Sequence, residues 1–539
     1  MMNTKKLICT ILLILLIPFY VAFAILTSSN KVGENVATHK QQLNIIVEDG
    51  VIADAVDYVP FLIPKYGKYK MTLDFTTVDP GFYTGIVLKD AKGNAVLYNG
   101  FDTVAGYTED LTLPEGRTTL ELHYFSNEQA LRDFCAEYPI YSESQLASIE
   151  DKLHFNDRIK SGNWYTSLNI SIDEYVKTPI YVKLGVIAFS LVLFVLLLVL
   201  FFKDHPTEED DRKARLSSIG IRYSVLNFWV FLLEIVLSVV INFFLTPEVI
   251  EENNSTLSML MTIFIIDICG FTMLYLITRN VPVQKLEKKP FGVGKFLQYL
   301  LMTLGLMVAG AVIGIVTENL FPNNKSVDIA AILLGSKTFL RVLSVGILAP
   351  IFEEMIFRKL LIDRLIKHGE FVAIFLSGLT FGLFHGNFQQ FFFATLCGWL
   401  WAFIYVRTGN IRNTIFLHMT INLSTSVITM FLLGRMSETG ILDNGDPAAI
   451  AQALMSNPTA LAYAGLFSLW VILLFLLALI GLILFFVKVA KKEFALNRLE
   501  DEPSKGKVLA QIFTNPYMWI FFIVLTGQFI MSYLPSVMK

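Results

Sequence analysis

Charge is scarce in this chain: Asp, Glu, Lys and Arg make up 17% of its 539 residues, against about 25% in an ordinary soluble protein. With 54% apolar residues and 45 Phe, there is too little polar side-chain material for a soluble globule, and the balance points to a polytopic membrane protein. The net charge of -3 says nothing useful about partners. Cysteine is nearly absent. Cys9, Cys135, Cys269 and Cys397 are the full set, and Cys135 stands alone in the large polar region, so no disulfide framework is available there. No internal repeat or low-complexity tract is visible, which removes repeat arrays and weakens any transporter built from duplicated halves.

Long apolar runs are abundant. They fall near 7–27, 180–202, 223–245, 258–278, 296–318, 337–357, 371–387, 389–406, 411–434, 460–487 and 516–535, predicting about eleven transmembrane helices. Alternate linkers are basic: Arg212, Lys213 and Arg215; Lys285, Lys288 and Lys289; Arg364 and Lys367; Arg407 and Arg412; Lys488, Lys491 and Lys492. The opposite linkers, such as 248–254 and 438–446, are acidic or polar, so the positive-inside rule predicts a cytoplasmic N-terminus and an outside C-terminus. Lys5 and Lys6 followed by an apolar run to Leu26 read as an uncleaved signal anchor, with Ala22-Phe-Ala24 leaving a cleaved signal peptide as the alternative.

Residues 28–177 are the one sizeable extramembrane region. Tyr69, Met71, Leu73 and Phe75 alternate along one strand face, as do Leu120, Leu122 and Tyr124, with a turn at Ala91-Lys-Gly-Asn94. This predicts a small antiparallel, β-rich extracytoplasmic domain, helical stretches around 127–138 and 144–155, and a closing strand from Tyr165 to Ile172. Its ligand is not readable, and the glycosylation-type triplets at Asn169 and Asn253 are too short to carry weight. The segments that follow are membrane helices with cytoplasmic linkers over 178–329, a core over 330–435, and a linker with two last helices over 436–539.

The core is where polar residues stand in apolar surroundings. Pro350-Ile-Phe-Glu-Glu-Met-Ile-Phe-Arg358 places Glu353, Glu354 and Arg358 in a membrane-length run, where each ionisable group costs roughly 2.5 kcal/mol or more. Arg358 follows Glu354 by four residues and can pair with it on one helix face, while Glu353 is rotated by about 100° and is free to face a cleft. Pro350 cannot donate to the Gly346 carbonyl and should kink or start the helix here. Phe381-Gly-Leu-Phe-His385 and His418-Met-Thr-Ile-Asn422 follow on two further spans. With a turn near Gly369, Glu353 and His385 each lie sixteen residues from it, roughly 24 Å along either arm, so they should sit level. Such side chains suit amide hydrolysis: Glu353 with His385 activating a water, His418 with Asn422 donating hydrogen bonds to the oxyanion.

The ordered trio Glu-Glu-x-x-x-Arg, Phe-x-x-x-His and His-x-x-x-Asn resembles the CPBP (Abi, type II CAAX protease-like) intramembrane protease family, over about residues 330–435. The resemblance implies an intramembrane endopeptidase with Glu353 and His385 activating water, His418 and Asn422 as oxyanion hole, and Glu354 and Arg358 in support. Other protease signatures are missing: no His-Glu-x-x-His, and neither the Gly-x-Ser-Gly of rhomboids nor the Gly-x-Gly-Asp of presenilin-like enzymes. A metal-free mechanism is preferred; a zinc mechanism would draw on Glu353, His385 and His418 with an open fourth position. Glu234, Asp267 and Arg341, also in or near spans, receive no catalytic role.

The reading is therefore a multi-pass protease of a bacterial plasma membrane, acting on a membrane-associated protein or peptide at the bilayer, with no nucleic-acid partner. A non-catalytic scaffold, or the bacteriocin self-immunity associated with bacterial relatives, is the alternative. An ion-coupled transporter using Glu234, Asp267 and Glu353 is a third.

Overall fold

The computed structural model describes residues 4–27, 32–139, 162–175, 180–321, 329–439 and 454–537, less short gaps at 49–50, 53–55, 65–66, 77–82, 103–106, 126–127, 246–248, 251–252, 456 and 501. The chain divides into two compact units, one β-rich within residues 28–179, the other helical and drawn from 1–27, 180–439 and 459–539.

Among the described residues of the β-rich unit, nine antiparallel strands form two sheets. The strands are β1 (Val32–Glu48), β2 (Val51–Ile52), β3 (Val56–Ile63), β4 (Gly67–Thr76), β5 (Tyr83–Lys89), β6 (Ala95–Asp102), β7 (Tyr107–Leu113), β8 (Gly116–Tyr124) and β9 (Gly162–Tyr175). One sheet runs β2-β1-β9-β4-β7 and the other β3-β8-β5-β6. The alternation read from the sequence is the core: Tyr69, Met71 and Leu73 of β4 and Leu120, Leu122 and Tyr124 of β8 are all buried in one apolar cluster. Phe75 packs at its rim. The β5–β6 turn is fixed by Asp90, whose Oδ1 accepts from the backbone N–H groups of Lys92 (2.8 Å) and Asn94 (2.9 Å). The predicted closing strand is β9, and the first predicted helix is Glu128–Glu137. The predicted helix over 144–155 lies outside the described residues.

Among the described residues of the helical unit, eight helices are long and apolar enough to cross a membrane, or nine if a bent pair at the C-terminal end counts as one. These eight match eight of the eleven runs. The other three differ for separate physical reasons. The run over 338–365 is helical but carries Arg341, both glutamates and Arg358. Glu370–Phe384 has only 15 residues. The last run lies in the helix Pro516–Val537, which meets the preceding helix Lys505–Phe513 at 72° and is counted with it as one bent pair. The chain is a multi-pass membrane protein, with eight to nine candidate spans among the described residues by length and composition.

Two glycines set the turns that fix depth. Gly369 (φ 121°) and Gly409 (φ 60°) adopt backbone conformations that a Cβ disfavours. Between them, the helices Glu370–Phe384 and Phe388–Thr408 approach so closely that a Cβ on Gly398 would stand 2.9 Å from Gly378 Cα. Small residues at such crossings are how apolar helices gain contact where no hydrophobic drive exists between them.

The basic linkers gather at one end of the unit. Arg222 donates to the Ile277 carbonyl (2.9 Å), Arg364 to Thr278 (2.7 Å), Arg215 to Pro282 (2.8 Å) and Arg212 to His368 (2.7 Å). Arg407 pairs with Glu370, which also accepts from the Asn497 amide. These arginines close helix ends by satisfying backbone carbonyls rather than by pairing only with acids.

Candidate active site

Pro350 does not break its helix. Backbone dihedrals stay helical through the site, and the chain instead widens to π-helical turns at Val342–Leu348 and Met355–Leu360, on either side of the α-helical Ala349–Glu354. The Ala349 N–H reaches the Ser344 carbonyl, five residues back, so the register slip falls beside the proline that has no N–H to give. Of the two expected outcomes, a kink or a helix start, the start is seen, with Pro350 in the first turn of Ala349–Glu354. Asn422 directly precedes another π-helical stretch, Leu423–Ile428.

Glu354 and Arg358 are wholly buried, with Arg358 Nε 3.2 Å from Glu354 Oε2. The contact is ionic rather than a well-aligned hydrogen bond, and the guanidinium nitrogens have no hydrogen-bond acceptor among the described residues. Aromatic faces take that place: the guanidinium centre lies 4.4 Å from the Phe381 ring and 5.4 Å from Trp401.

His418 connects the two glutamates. Its Nδ1 is 3.2 Å from Glu354 Oε1 and its Nε2 is 3.6 Å from Glu353 Oε2. Trp401 lies against the imidazole at 4.3 Å between centroids, and the Phe381 ring meets it edge-on at 5.8 Å. His385 is held differently. Its Nδ1 sits 2.8 Å from the Phe381 carbonyl; a carbonyl only accepts, so Nδ1 carries the proton and Nε2 presents its lone pair elsewhere. Asn422 donates one amide hydrogen to the Val345 carbonyl at 2.9 Å, which leaves its second N–H.

Glu353, His385, His418 and Asn422 all line one cavity of about 810 Å³. Glu354 and Arg358 stand behind it. The four motif side chains are therefore gathered as the spacing argument requires, but Glu353 is in ion-pair range of His418, with His385 on the same cavity wall. Trp401, which also lines the cavity, gave no sequence signal; its neighbour relation to His418 arises from helix packing. Of the unassigned charges, Glu234 lines the cavity. Asp267 is buried, has an Oδ2 without a hydrogen-bond partner, and is near enough to Glu353 for their charges to interact. Arg341 is buried and donates to Thr338 Oγ1 at 3.2 Å.

The zinc alternative needs three converging donors. Among the described residues no three His, Cys, Asp or Glu side chains come together in the way an ion requires. His418 has a carboxylate within reach of each ring nitrogen. Glu353, His385 and His418 do not form a metal site in this arrangement.

Residues 335–424 match a family model described as "Rce1-like: Type II CAAX prenyl endopeptidase Rce1-like". A Bacillus subtilis (strain 168) protein named "Putative membrane peptidase YdiL" is 38% identical over 88 residues, 16% of this chain and 35% of that relative. The chain thus matches about a third of the relative's length. Both findings support the CPBP family.

Proposed function

We propose that the protein is an intramembrane endopeptidase, hydrolysing a peptide bond of a membrane-associated protein or peptide without a metal. The observation that carries this reading is the single cavity lined by Glu353, His385, His418 and Asn422, with the buried Glu354–Arg358 pair behind it.

Net charge inside an apolar bundle is costly. Glu354 and Arg358 neutralise each other, and Glu353 and His418 hold one proton between them. A water placed between the Glu353 carboxylate and the His385 Nε2 lone pair meets two acceptors, which turns its oxygen toward the substrate carbonyl. Attack forms the C–O bond as the proton passes to Glu353. The free N–H of Asn422 and an N–H of His418 stabilise the tetrahedral oxyanion. The C–N bond then breaks, and Glu353 returns the proton to the departing amine, giving a carboxylic acid and an amine, which leave as carboxylate and ammonium.

Arg358 acts at one remove. By pinning Glu354 it holds His418 Nδ1, and so fixes the ring that faces Glu353. The orientation proposed has a cytoplasmic N-terminus, an outside C-terminus and the β-rich unit outside, in a bacterial plasma membrane, with the end that gathers the basic linkers facing the cytoplasm.

The test uses protein reconstituted in liposomes with a library of membrane peptides. Wild type is compared with Glu353→Ala and His385→Ala, with and without chelator. Loss of cleavage in both variants and indifference to chelator are expected. Inhibition by chelator reversed by zinc moves the mechanism to a metal, and absence of cleavage with equal complementation of a deletion phenotype by all three proteins makes the chain a scaffold or immunity protein.

A further inference from the structure

The cavity extends well beyond the four motif residues. Its far arm is walled by Asn227, Glu234 and Ser238 from the helix Arg212–Phe244 and by Ser258 and Thr262 from Asn254–Thr278. Asn227, Glu234 and Ser238 are seven and four residues apart, so they fall on one stripe of their helix. The arm is rich in acceptors. Asn227 commits an N–H to the Tyr223 carbonyl (2.7 Å), which leaves its Oδ1, and Thr262 donates to the Ser258 carbonyl (3.0 Å), which leaves its hydroxyl lone pairs.

Charge on the walls is one-sided. Two carboxylates, Glu234 and Glu353, line the cavity, and no Lys or Arg among the described residues does. Cations nearest in sequence are engaged elsewhere: Arg222 with Asp204 and Ser218, Arg358 with Glu354. Glu234 itself has no ion pair or hydrogen bond among the described residues. A carboxylate that lines a cavity between apolar helices, with no protein cation on the cavity wall, is left for a ligand to neutralise.

We propose that Glu234 is a specificity-determining residue whose arm of the cavity receives a primary ammonium group of the peptide substrate, a lysine side chain or the free amino terminus. An ammonium brings three donors and no acceptor, the complement of a carboxylate flanked by amide and hydroxyl oxygens. This inference rests on the protease reading, since it assigns the substrate of the same cavity.

The test scans one lysine through an Nα-acetylated membrane peptide, each position paired with norleucine, which keeps the alkyl chain without the charge. A parallel lysine-free peptide carries a free amino terminus. Wild-type protein should favour the ammonium-bearing member at one position by roughly tenfold or more in kcat/KM. Glu234→Gln should bring that ratio close to one, and Glu234→Asp, which keeps the charge, should retain most of it. Binding to a Glu353→Gln protein is measured with the same peptides, so the preference can be read without turnover. If no peptide is cleaved but the Glu234-dependent preference appears in binding, the protease reading fails and this one stands. Equal handling of lysine, amino-terminal and norleucine peptides at every position, or a preference untouched by Glu234→Gln, overturns it.

Discussion

Replacing Arg358 by Met is a stringent perturbation because its surroundings are so fully specified. The side chain has no exposure, sits 3.2 Å from Glu354 Oε2, and lies over Phe381 and Trp401. Removing one partner of a buried pair strands the other charge, at about 3–5 kcal/mol. The lost cation–π contacts belong to the same figure, being about 1–2 kcal/mol when taken alone. Met fills the vacated apolar volume flexibly, so a cavity adds little. Combining it with Glu354→Gln removes the stranded charge and keeps an oxygen for His418; the double variant should recover to within about 1–2 kcal/mol of wild type. The coupling energy should then exceed about 2 kcal/mol, far above what independent sites give. Unfolding of the detergent-solubilised protein, followed by tryptophan fluorescence for the four proteins of the cycle, measures it. A cost below about 1 kcal/mol for Arg358→Met, or a double variant no better than the single one, refutes the claim that these two charges hold each other at the centre of the bundle. Activity should stay low in the rescued double variant, because an uncharged residue 354 no longer polarises His418.

Three more outcomes follow from other parts of the molecule. Gly398→Ala puts a methyl 2.9 Å from Gly378 Cα and 3.1 Å from Phe381 Cδ1; overpacking of this kind costs about 1–3 kcal/mol, and displacement of Phe381 should lower turnover as well, both readable in the same unfolding and cleavage assays. Asn422→Ala should reduce kcat by about 10²–10³-fold, as expected for an oxyanion donor, while loss of its bond to the Val345 carbonyl lowers stability by only about 1 kcal/mol. In the β-rich unit, burial lowers His123 below its ordinary 6.5, with Glu121 opposing the shift. The unfolded chain therefore takes up the proton first as pH falls, and stability is lost from about pH 6.5 downward toward the lowered folded value. Hydrogen exchange of β8 in the full-length protein should accelerate over that range, and His123→Phe should blunt the response.

The sequence made the β-rich unit and the contents of the site readable for different reasons. In β4 and β8 one sheet face is dry and the other wet, so period-two alternation survives in the residues themselves. In the membrane core the signal is cost: Glu353, Glu354, Arg358, His385 and His418 stand out because lipid penalises them. The Gly369 turn was visible because glycine takes such dihedrals readily. Partner choice was not visible. His418 lies 64 residues from Glu354, and its place between two carboxylates depends on how the helices rotate. That rotation is set in part by the π-helical insertions around Pro350 and after Asn422, which leave no periodic trace. Glu234 and Trp401 join the cavity only through packing, so neither could be assigned from spacing. A hydrophobic run does not by itself give the length of its helix, and eight of the eleven predicted runs meet the length and composition of a span among the described residues.

The most direct measurement is cleavage in ¹⁸O-enriched water by wild type and Glu353→Gln, which keeps the shape of the residue and removes its basicity. The account predicts one ¹⁸O in the new carboxylate of the wild-type product and a rate lower by about 10²–10⁴-fold for Glu353→Gln at an unchanged melting midpoint. Turnover by Glu353→Gln equal to wild type, or product carboxylate without the label, contradicts it.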